Sequence, residues 1–354
     1  MSSRIDRWIF GEYPARVADL AFVRVLYAGY MLLVAFPRAM WVTRAPEAFY
    51  SPPPGPIALL STWPPAWVIV GLNGLMLASL VALLVGYRTP IASAASGLCF
   101  IALSCWNFAS VKIDHDILLG VTPLALAASG WGNWWSIDAR RLDPRPSPVD
   151  PARPWCLALL AMLIGVAMAT AGWAKLSTGW LDPSSHATFS FLTQYYVKGQ
   201  LGPLGEEALR VDGAWLRESA DWAAVLLELA FLPALLWRPA FRLALAVAAA
   251  FHLGNVLLFN IPFADNVIAY AAFVSWSEVL PALARDRQPS RASLAALGLA
   301  GLTCGLVSLS SGPIVPRLPV KQVVVVLGAA IALGYVARPC WRRVSPTPSS
   351  PLAP

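Results

Sequence analysis

The chain has 354 residues, 58% of them hydrophobic and only 13% charged, with a net charge of +7 and a mean hydropathy of +0.61. That little charge cannot cover the surface of a soluble domain, so the exterior is expected to face lipid. No basic run with interleaved aromatics accompanies the positive balance, which speaks against nucleic acid as a partner and for arginines retained in loops on one side of a membrane.

In chain order, the opening stretch MSSRIDRWIFGEYPARVADL has no short apolar core followed by a small-residue cleavage site. The first apolar run is therefore expected to stay as a helix. Runs of near-spanning length lie at 17–37, 65–86, 90–109, 115–131, 155–176, 220–237, 239–258, 262–279, 292–311 and 321–338. The fourth is short, and Phe259, Asn260 and Ile261 alone separate the seventh from the eighth, so 239–279 reads as two crossings or as a re-entrant hairpin. The expected fold is all-α: a polytopic integral membrane helical bundle of about eight to ten transmembrane helices.

Segment 38–64, containing SPPPGP, reads as irregular surface. Segment 177–219 joins a polar start, the aromatic stretch FSFLTQYY around Tyr195, and a charged, helix-compatible part. Its aromatic content predicts packing onto the bundle as a lid. The closing SPTPSSPLAP reads as a disordered tail. Most of the tryptophans, among them Trp63, Trp67, Trp131, Trp134, Trp135, Trp180, Trp222 and Trp237, fall near the ends of apolar runs and are expected in interfacial belts. The five cysteines form no CxxC pair and read as small hydrophobes, so neither a metal site nor a structural disulfide is expected.

If every run crosses, one side of the membrane holds sixteen Arg and the other holds eight Lys or Arg, with Arg24 and Lys175 inside runs. The richer side includes the N-terminus, Arg88, the 140–153 loop, Arg238, the 285–291 loop and the C-terminal arginines. Both termini are therefore expected on the cytoplasmic side.

Ionisable groups within apolar runs are costly and are the first candidates for chemistry. Asp19, Arg24, Lys175, Glu228 and His252 lie in runs, and Asp114, His115 and Asp116 open the fourth. Lys175, in ATAGWAKLSTGWLD beside Trp173, is either a lysine snorkelling from a helix end or a desolvated base. The small residues before it would let a neighbouring helix close in. His115 is either part of a solvated helix start or an imidazole raised by flanking carboxylates and able to orient or protonate a substrate. His252 is an interhelical hydrogen-bond partner or part of a polar patch with Asn255 on the same helix face. Asp19 and Arg24 diverge around one helix and are expected to pair architecturally with other helices. With a cytoplasmic N-terminus, His115, Lys175 and His252 all fall in the outer half of the bundle, beneath the aromatic loop. That arrangement is the expected form of a site for a lipophilic substrate.

Four stretches carry a family resemblance: LGVTPLALAASGWGNWWSIDA (119–139), AGWAKLSTGWLD (171–182), LLELAFLPALLWRPAFR (226–242) and FHLGNVLLFNIPFADNVIAYAAF (251–273), with LVGYRTP (84–90) as a weaker match. In this order the sequence resembles the HTTM domain, the membrane portion shared by vitamin K-dependent γ-carboxylase and many bacterial relatives. The resemblance implies an HTTM-like membrane domain over 1–280, two additional helices over 281–340 and a tail over 341–354. It also implies a bacterial cytoplasmic membrane.

For function it implies γ-carboxylase-like lyase or oxygenase chemistry with a reduced, vitamin K-like quinone. The resemblance carries roles only to Lys175, as the base, and to His115, in the place of the family's histidine; the residues' own placement adds His252 to the catalytic candidates and Asp114, Trp173, Tyr195 and Asn255 as candidates for substrate binding. After residue 280 the chain offers two more apolar runs where the carboxylase carries a large globular part, so quinone-type chemistry is expected in preference to peptide carboxylation. The expected partners are membrane lipid and a lipophilic quinone. A non-catalytic membrane scaffold or partner subunit is the competing expectation. A transporter is disfavoured, since few polar groups line the inner halves of the runs.

The charge asymmetry makes a test of topology direct. In single-cysteine variants, Lys198→Cys should label from outside the cell and Arg141→Cys from inside. The reverse pattern would invert the orientation and every inside or outside assignment that depends on it.

Overall fold

Long runs of apolar, good helix-forming residues bounded by Pro, Gly and charged loops become helices because the bilayer offers backbone groups no partner but each other. The computed structural model describes residues 3–37, 39–53, 56–109, 116–211, 213–285, 287–310 and 316–344. The helices in order are α1 (Arg4–Gly11), α2 (Val17–Tyr30), α3 (Ala66–Val85), α4 (Thr89–Asn107), α5 (Ile117–Leu126), α6 (Pro154–Ser177) and α7 (Ala187–Val197). There follow α8 (Gly205–Arg210), α9 (Ala214–Ala234), α10 (Arg238–Phe259), α11 (Ala264–Tyr270), α12 (Trp276–Val279), α13 (Arg291–Ser310) and α14 (Arg317–Val344). The protein is an all-helical, polytopic membrane bundle without a strand among the described residues.

Seven of the ten apolar runs form helices long and apolar enough to cross a membrane. The other three explain themselves by their residues. The fourth run yields the 10-residue α5, with Pro123 inside it. The sixth is the apolar second half of α9, whose first half carries Arg217, Glu218 and Asp221. The eighth breaks into α11, a 3-10 turn at Ala271–Phe273 and the short α12. The C-terminal stretch expected as tail is helical as far as Val344, and the rest of it lies outside the described residues.

Hydrogen bonds sort the helix ends into two groups. At one end the Val17 N–H reaches the Asp150 carbonyl, the Arg238 N–H reaches Glu12 Oε1 at 2.6 Å, and Arg16 reaches Ser277 Oγ at 3.1 Å. At the other end Arg317 donates to the Phe36 carbonyl at 2.7 Å and Gln322 donates to Asn260 at 2.6 Å. The first is the arginine-rich end. The second is the lid end, where α7 and α8 sit over the bundle: Tyr195 packs on Phe259 with centroids 6.2 Å apart, and the Leu204 N–H bonds the Leu257 carbonyl at 2.8 Å.

The core of the fold is held by one side chain. Arg24 of α2 is fully buried and spends all five donors on backbone carbonyls. Nη1 donates to Leu83 at 2.5 Å and Leu84 at 2.8 Å, Nη2 to Trp135 at 2.7 Å and Trp134 at 3.4 Å, and Nε to Trp131 at 3.1 Å. These carbonyls belong to the end of α3, where Leu83 also accepts from the Gly86 N–H at 3.1 Å, and to the irregular 131–135 segment. Trp131 and Trp134 are consequently buried core residues and not the interfacial anchors expected from their positions; the indole of Trp131 donates to Ser93 Oγ at 3.0 Å. Gly86 closes α3 in the left-handed region at φ +69°, and a Cβ there would meet Ser136 Cβ at 2.2 Å. Asp138 then caps α4, accepting from the Arg88 and Thr89 N–H groups at 2.9 and 2.7 Å.

An Arg24→Lys variant tests this arrangement. A lysine ammonium has three donors for five carbonyls and leaves at least one of them without a partner, since Leu83 alone keeps a backbone donor, at about 1–3 kcal/mol for each orphaned carbonyl. Thermal unfolding in detergent should show a clear drop in Tm for Arg24→Lys, although the charge is kept. A Tm equal to wild type would mean that the carbonyls find other partners.

Candidate functional site

The site begins where α6 and α9 run side by side. Gly172 makes the approach: a Cβ at that position would lie 3.0 Å from Glu228 Cβ and from Leu229 Cγ, so any larger residue would push the helices apart. One turn further, Lys175 Nζ lies 2.6 Å from both carboxylate oxygens of Glu228. Glu228 is buried, and the Lys175 side chain keeps 23% of its exposure. The indole of Trp180, just past the end of α6, covers the ammonium at 5.5 Å. Lys175 thus neither snorkels free nor lies against His252; it is held by a carboxylate at the lid end.

A second polar group lies deeper. His252 of α10 is buried and stacks between Phe263, at 4.8 Å, and Tyr270 of α11, at 5.9 Å. Its Nε2 is 3.2 Å from the Tyr270 hydroxyl, which also touches Met168 Sδ of α6 at 3.7 Å. Asn266, one turn back on α11, bears on the same phenol. Tyr270 thus bonds His252 directly and is reached by the Glu228 charge only through space. The residues of α11 are buried throughout.

At the start of α11, Asp265 receives Lys321 of α14 at 2.7 Å and the Tyr30 hydroxyl at 2.5 Å. Beside them lies a cavity of about 280 Å³, lined by Ile261, Phe263, Asp265, Asn266, Arg317 and Lys321 among others. Asn266 Oδ1 is buried and has no donor among the described residues. On the other flank of α11 an apolar cavity of about 340 Å³ reaches Tyr270. Lys175 and Glu228 line neither of these two cavities.

The residues singled out from the sequence are thus only partly gathered. Lys175 and His252 belong to two polar groups, Lys175 with Glu228 and His252 with Tyr270, which act on each other only through space. His115 and Asp114 lie outside the described residues. Trp173 points outward from α6 with 65% exposure. Tyr195 belongs to the lid, and the Asn255 side chain makes no hydrogen bond to the described residues, His252 taking Tyr270 instead. Tyr270 and Lys321 were not legible as site residues. Tyr270 is one aromatic in an apolar run, and Lys321 sits at the head of a helix distant in sequence, where an interfacial lysine is commonplace.

A family model, the HTTM domain, matches residues 13–274. The chain belongs to the HTTM domain family. No curated protein and no solved structure matches it. The HTTM match contains Lys175, Glu228, His252, Asn266 and Tyr270 and ends before α13 and α14. Lys321 and the α14 wall of the apolar cavity are therefore added to the HTTM domain by the chain that follows it.

The ion pair should be energetically coupled. In a thermal-stability cycle of Lys175→Met, Glu228→Gln and the double variant, the double should lose less than the sum of the singles, by about 1–2 kcal/mol once the partial exposure of Lys175 is discounted. Additive losses would mean that the contact is not formed in the folded protein.

Proposed function

We propose that this HTTM protein is a membrane enzyme acting on a quinone-like lipid, with Lys175 as the base and Glu228 and Tyr270 connecting it to the substrate. Its place would be a bacterial cytoplasmic membrane, with both termini on the cytoplasmic side. The observation that carries the reading is the Lys175–Glu228 pair, 2.6 Å apart at the lid end of an apolar bundle, its charge reaching Tyr270 through space. Such a pair stays neutral overall whether the shared proton rests on nitrogen or on oxygen. The amine can therefore become free without leaving an isolated charge in apolar surroundings.

The residues present fit a reduced quinone. Asn266 Oδ1 is a buried acceptor in need of a donor, and Phe263 offers a ring face beside it in the same cavity. A hydroxyl on an aromatic ring would donate to Asn266 and pack on Phe263, while His252, stacked behind Phe263, fixes that ring. When bound, the reduced quinone would supply an acidic hydroxyl and reducing electrons. Tyr270, hydrogen-bonded to His252, would stand between that hydroxyl and the pair, and the proton would end on the Lys175 amine, freed while its own proton rests on Glu228, with the ammonium balancing the quinol anion. Carboxylation of a second substrate would draw on the same base.

A non-catalytic scaffold is the second reading, and one observation favours it: Lys175 and Glu228 satisfy each other outside the two cavities just described. The two readings separate on Lys175→Arg, which keeps the ion pair and supplies no base near neutrality. At matched expression, turnover of a reduced naphthoquinone, or its binding where turnover is not yet assayed, should fall at least about tenfold as a general-base loss requires. Full activity in the arginine variant would remove the base assignment and leave the scaffold.

A further inference from the structure

The apolar cavity of about 340 Å³ is long and narrow. It follows α14 from Val324 to Val336, a length of about 18 Å at the helical rise per residue. Its walls are apolar side chains such as Leu245, Ala249, Ile268, Leu327 and Ile331, and its polar lining residues are Arg242, Tyr270 and Tyr335. This is the form of a slot for one hydrocarbon chain, lying between α10 and α14 with α11 as its floor.

At the arginine-rich end of the slot stands Arg242. Its guanidinium is 5.2 Å from the Tyr335 ring and donates to Ser275 Oγ at 3.3 Å, while Nε is buried without an acceptor among the described residues. No described carboxylate lies within 4.0 Å of it. Asp19 and Glu278 are near enough to act on it only through space, and Asp19 already accepts from the Ser277 N–H at 2.6 Å. A recess whose polar lining is Asp19, engaged by the Ser277 N–H, together with Tyr13, Arg238, Arg242 and Ser275 adjoins the slot there. A half-buried guanidinium without an anionic partner, at the foot of a hydrocarbon slot, is costly unless an anion comes with the chain.

We propose that the slot between α10 and α14 binds an anionic phospholipid, one acyl chain lying along α14 and the phosphate resting on Arg242. Charge complementarity names the headgroup and the apolar length names the chain. The site is independent of the Lys175 chemistry. It also depends on α14, which lies beyond the HTTM match, so it belongs to this chain's own extension of the domain.

The test is native mass spectrometry of protein purified in mild detergent and exchanged through bicelles of equal phosphatidylglycerol and phosphatidylcholine. Wild type should retain one phosphatidylglycerol in preference to phosphatidylcholine. Arg242→Gln should lose that preference by roughly tenfold, as one charge-assisted phosphate contact is worth. Ala246→Phe should fill the slot and retain neither lipid, with Ala249→Leu as a milder filling variant should the first not fold. Equal retention of the two lipids by wild type, preference unchanged in Arg242→Gln, or retention unchanged in a folded filling variant would each overturn the proposal. So would a neutral isoprenoid quinone that displaces phosphatidylglycerol from wild type, whereas loss of quinone turnover in Lys175→Arg would leave it untouched.

Discussion

Inside a bilayer every polar group needs a partner within the protein, and the Arg24 guanidinium is where this chain meets that demand most heavily. The end of α3 and the stretch from Trp131 to Trp135 leave their carbonyls pointing into an apolar interior, and one planar fork with five donors collects them. Fixing that corner fixes the start of α4 through Asp138 and the packing of α2 across α3. The remaining helices assemble around this corner. Two stretches that carry the family resemblance, 84–90 and 119–139, therefore turn out to be architectural: they supply the carbonyls, the left-handed Gly86 and the Asp138 cap.

The three other resembling stretches hold the residues proposed for chemistry. Gly172 brings α6 and α9 close enough for Lys175 to meet Glu228, and the FADN stretch begins the buried α11, whose Tyr270 meets His252. Such a short helix leaves unpaired backbone ends in the bundle, and polar side chains congregate around it: Asp265, Tyr30 and Lys321 at its start, Tyr270 at its end. Irregular backbone at membrane depth is tolerated where protein surrounds it or a cavity adjoins it. Here both conditions hold, with a polar cavity on one flank of α11 and an apolar slot on the other.

Hydropathy made the fold class and most spans legible, because the bilayer imposes a length and an apolar content that a sequence cannot disguise. It was less informative where tertiary packing replaces lipid. Trp131 and Trp134 have the composition of interface anchors and the burial of core residues. The eighth run is apolar enough for a crossing yet breaks after Tyr270. For the site, Lys175 and His252 stood out as ionisable groups in apolar surroundings, and Glu228 stood out for the same reason. Their partners, Glu228 on α9 for Lys175 and Tyr270 on α11 for His252, come from other helices, which spacing along the chain does not encode.

The central claim is that Lys175 can cede its proton to Glu228 within the pair, so that the free amine takes the hydroxyl proton of a reduced quinone. Nitrogen-15 NMR of the lysine side chains in nanodiscs reads this directly, since Lys112, Lys175, Lys198 and Lys321 can be assigned by single replacement. The account predicts that Lys175 resonates as a hydrogen-bonded ammonium alone and moves toward the amine position when a methyl-ether analogue of the hydroquinone, which has no hydroxyl proton to give, is added, while Lys198 stays fixed. An unshifted ammonium at Lys175 with the analogue bound would contradict it.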